Sequence, residues 1–216
     1  MMKASAVAML VSLCVLSSVG AQLPPGAPDL GFEELATGPY SRMHMLYERT
    51  IFGIDVLTVE IRFDGPTAER LQRLASGQPY GERLAGQVVE AALEAEAVFV
   101  TLEFERDVAL GRWVEGAREG LDRGWTAGLI EEATYRHVHD NLPRWFDVVA
   151  GRGFRAADRI LYRGYPDRLR TVLLSSDADV LLDQTDQGAS HRRALLAGYL
   201  APGTDFRLPL IRSLLE

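Results

Sequence analysis

Arginine and tyrosine side chains occur together just before the long apolar stretch that begins near residue 51. Tyr40 lies two residues before Arg42, and Tyr47 lies two residues before Arg49. A guanidinium donates a fork of hydrogen bonds to a carboxylate, and a neighbouring phenol can donate another. We call these four residues the arginine–tyrosine cradle, and they predict a binding site for a carboxylate or a phenolate at the mouth of an apolar layer. The alternative is a surface arginine paired with Glu48, which would contribute little.

Histidines form a second candidate cluster in the segment His137-Val138-His139-Asp140. On a strand both imidazoles would share a face and could converge on a metal ion. The surrounding apolar spacing is helical, which turns the two side chains roughly 200 degrees apart. We therefore expect no metal site, and nothing in the sequence indicates a cofactor.

Two further pairs could in principle do chemistry. Ser190-His191 lacks the GxSxG context of a nucleophile elbow, and adjacency in sequence does not supply the geometry of a triad. Glu103 and Glu105 share one face of a predicted strand, where paired carboxylates could act as acid and base. An outward-facing polar row is the commoner explanation of that pattern. Neither pair predicts a hydrolase.

The elements that must position these residues are strands and helices in alternating groups. Extended patterns predict strands at about 51–63, 98–105, 159–162, 169–174 and 180–183. Helical spacing predicts helices at about 66–75, 80–95, 110–121, 189–200 and 205–215. We also expect one helix with Thr126 as its N-cap and a short helix that opens at Asn141-Leu142-Pro143. Short strands with tight turns predict antiparallel pairing in an α+β layer architecture.

The N-terminal residues predict export. Lys3 is followed by an apolar run over 4–19 and then by small residues, which is typical of a signal peptide cleaved after Ala21. We expect residues 1–21 to be this signal, 22–30 a flexible leader, and 31–216 the folded domain of a periplasmic or secreted protein. The chain's only lysine and only cysteine, Lys3 and Cys14, both lie in the signal. The mature chain would therefore have no disulfide and no lysine chemistry.

Length and charge narrow the choice of partners. About 195 residues follow the cleavage site, which is enough for one domain with a sizeable core. The formal net charge is −7, so the protein has no electrostatic footprint for nucleic acid or for an anionic membrane surface. We expect no membrane segment after signal cleavage, and the sequence does not specify an oligomeric state.

Several segments together resemble the chalcone isomerase-like family, taken in its broad bacterial sense. Each segment is a weak motif alone, but they follow the family's order and span nearly the whole mature chain. They are Gly38-x-x-x-Arg42 leading into 52–56, then 99–108, 158–162, 194–200 and 214–215. The resemblance implies an open-faced sandwich, in which helices cover an antiparallel sheet and a ligand cleft lies between the two layers.

The resemblance also implies a choice of functions. The family contains plant enzymes that cyclise a chalcone to a flavanone, fatty-acid-binding relatives, and bacterial proteins of unknown role. In the enzymes an arginine before the central strand holds the substrate oxyanion, and Arg42 or Arg49 would take that place here. The enzymes' strand threonine falls at Phe52, and no lysine matches their active-site lysine.

These departures favour binding over catalysis. We expect an exported protein that binds a small amphipathic acid, such as a fatty acid, through the arginine–tyrosine cradle. One alternative is an isomerase, an intramolecular lyase of the chalcone isomerase type. Another is a protein that binds a partner and whose cleft is vestigial.

Overall fold

The computed structural model describes residues 29–30, 35–48 and 55–216, and its strands form one six-stranded antiparallel sheet in chain order. The strands are β1 (Arg42–Glu48), β2 (Asp55–Phe63), β3 (Val98–Phe104), β4 (Arg159–Gly164), β5 (Arg168–Leu174) and β6 (Val180–Gln187). The helices are α1 (Gly65–Ala75), α2 (Glu82–Leu93), α3 (Leu110–Thr126), α4 (Glu132–Trp145), α5 (Ala189–Leu200) and α6 (Arg207–Leu215). The predicted α+β architecture is confirmed. The predicted signal peptide and Arg49 lie outside the described residues.

Successive side chains of a strand point to opposite faces of the sheet. The helices cover the face that carries most of the apolar side chains. Inward residues of neighbouring strands stand in rows across the sheet, and one row is apolar from end to end. It consists of Val59, Leu102, Ile160, Leu173 and Leu182. The main hydrophobic core lies between this face and the helices. No helix in the described ranges has the length and apolarity needed to cross a membrane.

The second face of the sheet is largely polar but carries a small core of its own. Leu30 and Leu35 are buried there against Phe99, Leu161, Val172 and Leu174. The guanidinium of Arg163, fully buried on this face, donates a hydrogen bond to the Leu30 carbonyl oxygen at 3.0 Å. Leu30, at the end of the expected leader, is therefore part of the packed structure.

The sequence pattern does not predict strand β1, because the extended alternation begins near residue 51. Its exposed residues alternate with buried Met43 and Met45. The outer edge of β1 is bound by α6, where the backbone N–H of His44 donates to the Ser213 hydroxyl at 2.8 Å. This long-range contact stabilises a strand whose local propensity is modest.

The prediction that Thr126 caps a new helix is wrong, because Thr126 is the last residue of α3. Gly128 follows at a φ of +71°, a left-handed conformation that ends helices. The next helix, α4, begins at Glu132.

The prediction of a helix that opens at Asn141-Leu142-Pro143 is also wrong, because α4 continues through these residues. Pro143 cannot donate to the carbonyl of His139, four residues earlier, and this would normally break the helix. Here the side chain of Arg118 on α3 donates to that carbonyl through Nε at 3.1 Å and Nη2 at 2.9 Å. A tertiary contact therefore replaces the missing helical hydrogen bond.

Candidate functional site

A cavity of about 430 Å³ lies between the helical face of the sheet and helices α3, α4 and α5. Its volume falls in the range of small-molecule binding sites. The lining includes residues from all six strands, so the cavity extends across the width of the sheet. The cavity therefore lies in the interface between the sheet and the layer of helices.

Aromatic rings form a wall of the cavity, to which Phe104, Trp113 and Phe146 contribute directly. The Trp113 ring lies 4.5 Å from Phe146 and 5.2 Å from Phe154, centroid to centroid. Phe104 stacks on Phe154 at 4.4 Å. Offset and edge-to-face aromatic pairs hold each other in fixed orientations. This wall offers a preformed apolar surface to a hydrocarbon chain or a ring.

Glycines allow α3 and α5 to approach each other closely above the cavity. A Cβ atom on Gly120 would lie 2.5 Å from the carbonyl oxygen of Gly198, a distance that no side chain tolerates. Both glycines line the cavity, so helix backbone forms part of its roof. The position of the roof therefore depends on the absence of side chains at this crossing.

Polar side chains replace apolar ones on one side of the cavity floor. Tyr162, Thr171 and Gln184 are directly paired across β4, β5 and β6, and all three line the cavity. We call these residues the polar row. The same row continues through Val100 and Ile61 on β3 and β2, where it is apolar.

A second phenol, that of Tyr199 on α5, also lines the cavity. Burial raises the pKa of Tyr162 well above the usual value, and the neighbouring Tyr199 raises it further. Burial likewise raises the pKa of Tyr199. Both phenols are therefore neutral at physiological pH and can donate hydrogen bonds.

His191, in the first turn of α5, also lines the cavity. Its two ring nitrogens are buried and have no hydrogen-bond partner in the described residues. Its ring stands edge-on to His137 of α4 at 5.4 Å between centroids. Because the imidazole makes no hydrogen bond to Ser190, the structure has no Ser-His relay at this pair.

Charged residues of both signs surround the cavity. Arg106, Arg112 and Arg123 all line it. Arg112 pairs with Glu115, whereas the side chains of Arg106 and Arg123 make no ion pair or hydrogen bond within the described ranges. Asp107 is occupied, because Arg155 and the Ala156 backbone N–H bind its carboxylate and lower its pKa. The two unpaired arginines are the described groups best suited to an anionic ligand.

The structure separates the members of the arginine–tyrosine cradle. Tyr47 lines the cavity, where its ring stacks on Phe206 at 4.7 Å and its hydroxyl donates to Asp205 at 3.4 Å. Arg42 does not line it, because this residue points from β1 to the opposite face of the sheet. There Arg42 is half exposed, with Nη1 3.5 Å from a carboxylate oxygen of Glu60.

Of the remaining two members of the cradle, the structure describes only Tyr40. Tyr40 lies in the turn before β1 at a φ of +64° and is not part of the cavity wall. Arg49 lies outside the described residues, so its role stays a prediction.

The two histidines of the segment 137–140 do not form a common site. His137 and His139 diverge on α4; the His139 ring lies beside Tyr135, and its Nδ1 is 3.1 Å from the Asp140 carboxylate. Across the part of the chain that the structure describes, no three potential metal ligands come together.

Glu103 and Glu105 lie on the face of the sheet away from the helices, as an outward-facing polar row would. Glu103 pairs with Arg159 at 3.1 Å, and Glu105 accepts a hydrogen bond from the Thr58 hydroxyl at 2.6 Å. The two carboxylates are therefore engaged in local contacts, away from the cavity.

Sequence reasoning missed the polar row and His191 as parts of one site. The signal was present in the apolar strands β4 and β5, where a tyrosine and a threonine occupy inward positions. Only the register of the sheet shows that Tyr162 and Thr171 are direct neighbours.

No protein-family model and no curated protein matches this sequence. Among solved structures, the fold is similar to the crystal structure of a fatty-acid binding protein from Arabidopsis thaliana, with a TM-score of 0.51 and 14% sequence identity. The match covers 81% of this chain and 89% of that chain. At this identity the likeness concerns the fold alone. The chain therefore has the open-faced α+β sandwich of the chalcone isomerase-like fold.

Proposed function

We propose that this protein binds a small amphipathic acid, similar to a fatty acid, in the cavity between the sheet and the helices. The observation that supports this proposal is a largely apolar cavity whose border contains arginines without an ion-pair partner. The likeness in fold to a plant fatty-acid binding protein agrees with it.

The physical basis of binding is a division of the ligand into two parts. Each methylene group that leaves water for the aromatic wall contributes about 0.8 kcal/mol. The carboxylate stays at the border of the cavity, because an anion without a partner in the interior is costly. Arg106 or Arg123 would donate charge-assisted hydrogen bonds to it. Arg49, with Tyr47 beside the cavity, keeps its place as a third candidate for this role.

Calorimetric titration of the full chain with decanoate and with decan-1-ol tests the proposal. These probes share an apolar chain and differ in the charged group. We expect decanoate to bind and decan-1-ol to bind about tenfold more weakly, since a hydrogen bond to a charged group contributes about 1.5–3 kcal/mol.

Single arginine variants then locate the carboxylate. Replacement of Arg49, Arg106 or Arg123 by Met should weaken decanoate about tenfold at one position or more and leave decan-1-ol unchanged. Arg42→Met is the matched control, because Arg42 lies on the opposite face and should change neither probe. Failure of both probes to bind would contradict the proposal and favour the partner-binding alternative with a vestigial cleft.

The isomerase alternative stays a prediction. The cavity phenols could donate a hydrogen bond to an oxyanion, but no described residue pairs with them as a base. The chain also has no lysine after Lys3. Binding therefore requires fewer assumptions than catalysis.

A further inference from the structure

The polar row stands beside an apolar row on the inward face of the sheet. The adjacent row, from Val59 to Leu182, is apolar on all five of its strands. In the polar row the three strands β4, β5 and β6 contribute a hydroxyl, a second hydroxyl and an amide. Simple core packing would place apolar side chains at these inward positions, since an unpaired polar group in the interior is destabilising.

None of these groups has a protein partner among the described residues. The side chains of Tyr162, Thr171 and Gln184 make no hydrogen bond there, and neither does the Tyr199 hydroxyl. Both ring nitrogens of His191 are likewise unpartnered and buried. Tyr162 and Thr171 are themselves buried, 7% and 3% exposed. Of these polar atoms the two His191 nitrogens are fully buried, whereas Tyr162, Thr171 and Gln184 line the cavity. Buried polar atoms in native proteins nearly always have a partner, and a ligand that fills the cavity can supply it.

We infer that the natural ligand is an oxygenated acid, whose apolar chain carries a second, uncharged hydrogen-bonding oxygen that the polar row and His191 bind. This inference rests on the proposed function and names the class of acid more closely. A hydroxyl or keto oxygen fits, because the phenols and the threonine can donate to it and the glutamine can also accept from a hydroxyl.

The second group must be neutral because of its surroundings. No cationic side chain belongs to the polar row, and Asp186 on β6 lines the neighbouring part of the cavity. A second carboxylate bound there would have no arginine in the polar row as its partner and would have Asp186 nearby, at a large cost. The arginines that line the cavity come from α3 and the loop before it, whereas the polar row belongs to β4–β6. The two polar ends of the ligand therefore meet different elements.

The test compares decanoate with 3-hydroxydecanoate and 10-hydroxydecanoate by calorimetry on the full chain. For the wild-type protein we expect one hydroxylated acid to bind about five- to tenfold more tightly than decanoate. The Tyr162→Phe and Thr171→Val variants should weaken the hydroxylated acid about five- to tenfold more than they weaken decanoate, and so bring this ratio close to one, since both replacements remove a hydroxyl and nearly keep the volume of the side chain. Tyr135→Phe removes a phenol from outside the cavity and should leave the ratio unchanged.

The outcomes distinguish this inference from the function on which it rests. If decanoate and both hydroxy acids fail to bind, the proposed function itself fails. If decanoate binds and neither hydroxy acid binds more tightly, the cavity prefers a plain chain and the inference is overturned. An equal loss of decanoate and hydroxy-acid affinity in Tyr162→Phe would also overturn it, because the tyrosine would then act by packing alone.

Discussion

Tyr162 and Tyr199 are the two tyrosines of the cavity lining whose pKa values are raised by burial. Each inserts a phenol between the sheet and the helices, and neither phenol has a protein partner in the described part of the chain. An isolated hydroxyl in this position lowers stability unless a ligand or water satisfies it. Retention of two such groups in one cavity is easier to explain by recognition than by packing.

The raised pKa values of these phenols lead to a prediction at alkaline pH. In the unfolded chain a tyrosine ionises near pH 10, whereas in the folded protein burial keeps Tyr162 and Tyr199 neutral to higher pH. Their contribution to stability is therefore complete below about pH 10 and is lost as the pH rises above it. We expect each phenol to reduce the free energy of unfolding by about 1 kcal/mol per pH unit in that range.

Urea denaturation at about pH 9 and about pH 11 measures this effect. The double variant Tyr162→Phe/Tyr199→Phe should lose clearly less stability between these conditions than the wild type. Equal losses would mean that the two phenols ionise as easily in the folded protein as in the unfolded chain.

At the scale of elements, the crossing of α3 and α5 determines the shape of the cavity roof. Gly120→Ala would bring a methyl group to 2.5 Å from the Gly198 carbonyl oxygen, so the helices would have to separate. We expect the free energy of unfolding to fall by about 1–3 kcal/mol, as for other overpacked sites. Denaturant unfolding checks the value, and decanoate titration would report any change in the roof.

Gly116→Ala in the same helix is the matched control. Nothing lies within 4 Å of the position that its Cβ would occupy. Because alanine loses less entropy than glycine in a helix, this change should raise the free energy of unfolding by about 0.5–1 kcal/mol. If both variants shifted stability in the same direction, the close approach of α3 and α5 would not be the determining contact.

At the scale of the whole molecule, we propose that the protein is exported and that residues 1–21 are removed. The apolar run after Lys3 and the small residues up to Ala21 support this proposal. Intact-mass analysis of the protein recovered from the exported fraction of its host should give a chain that begins at Gln22. A mass that includes Met1 in that fraction would contradict the cleavage, and recovery from the cytosol alone would contradict export.

The sequence by itself determined the fold class of this protein, because alternation in the strands and helical spacing between them are local patterns. Residues that alternate along 100–104 or recur every third or fourth position along 110–121 place their apolar side chains on one face of the element, whichever neighbours they meet. The antiparallel sheet and its helical layer follow from these patterns. Tyr47 could also be proposed as a cavity residue, since it lies at the end of the segment that precedes the long strand.

Only the tertiary structure decided which polar residues share a site. The side of the sheet that Arg42 faces depends on the register of β1, and a shift of one residue would reverse it. Tyr162 and Thr171 are direct neighbours because of the register in which β4 pairs with β5, and His191 of α5 lines the same cavity. Likewise, α4 continues through Pro143 because Arg118 of another helix binds the carbonyl that the proline leaves free. Contacts between distant segments have no local signature, and the candidate site consists of such contacts.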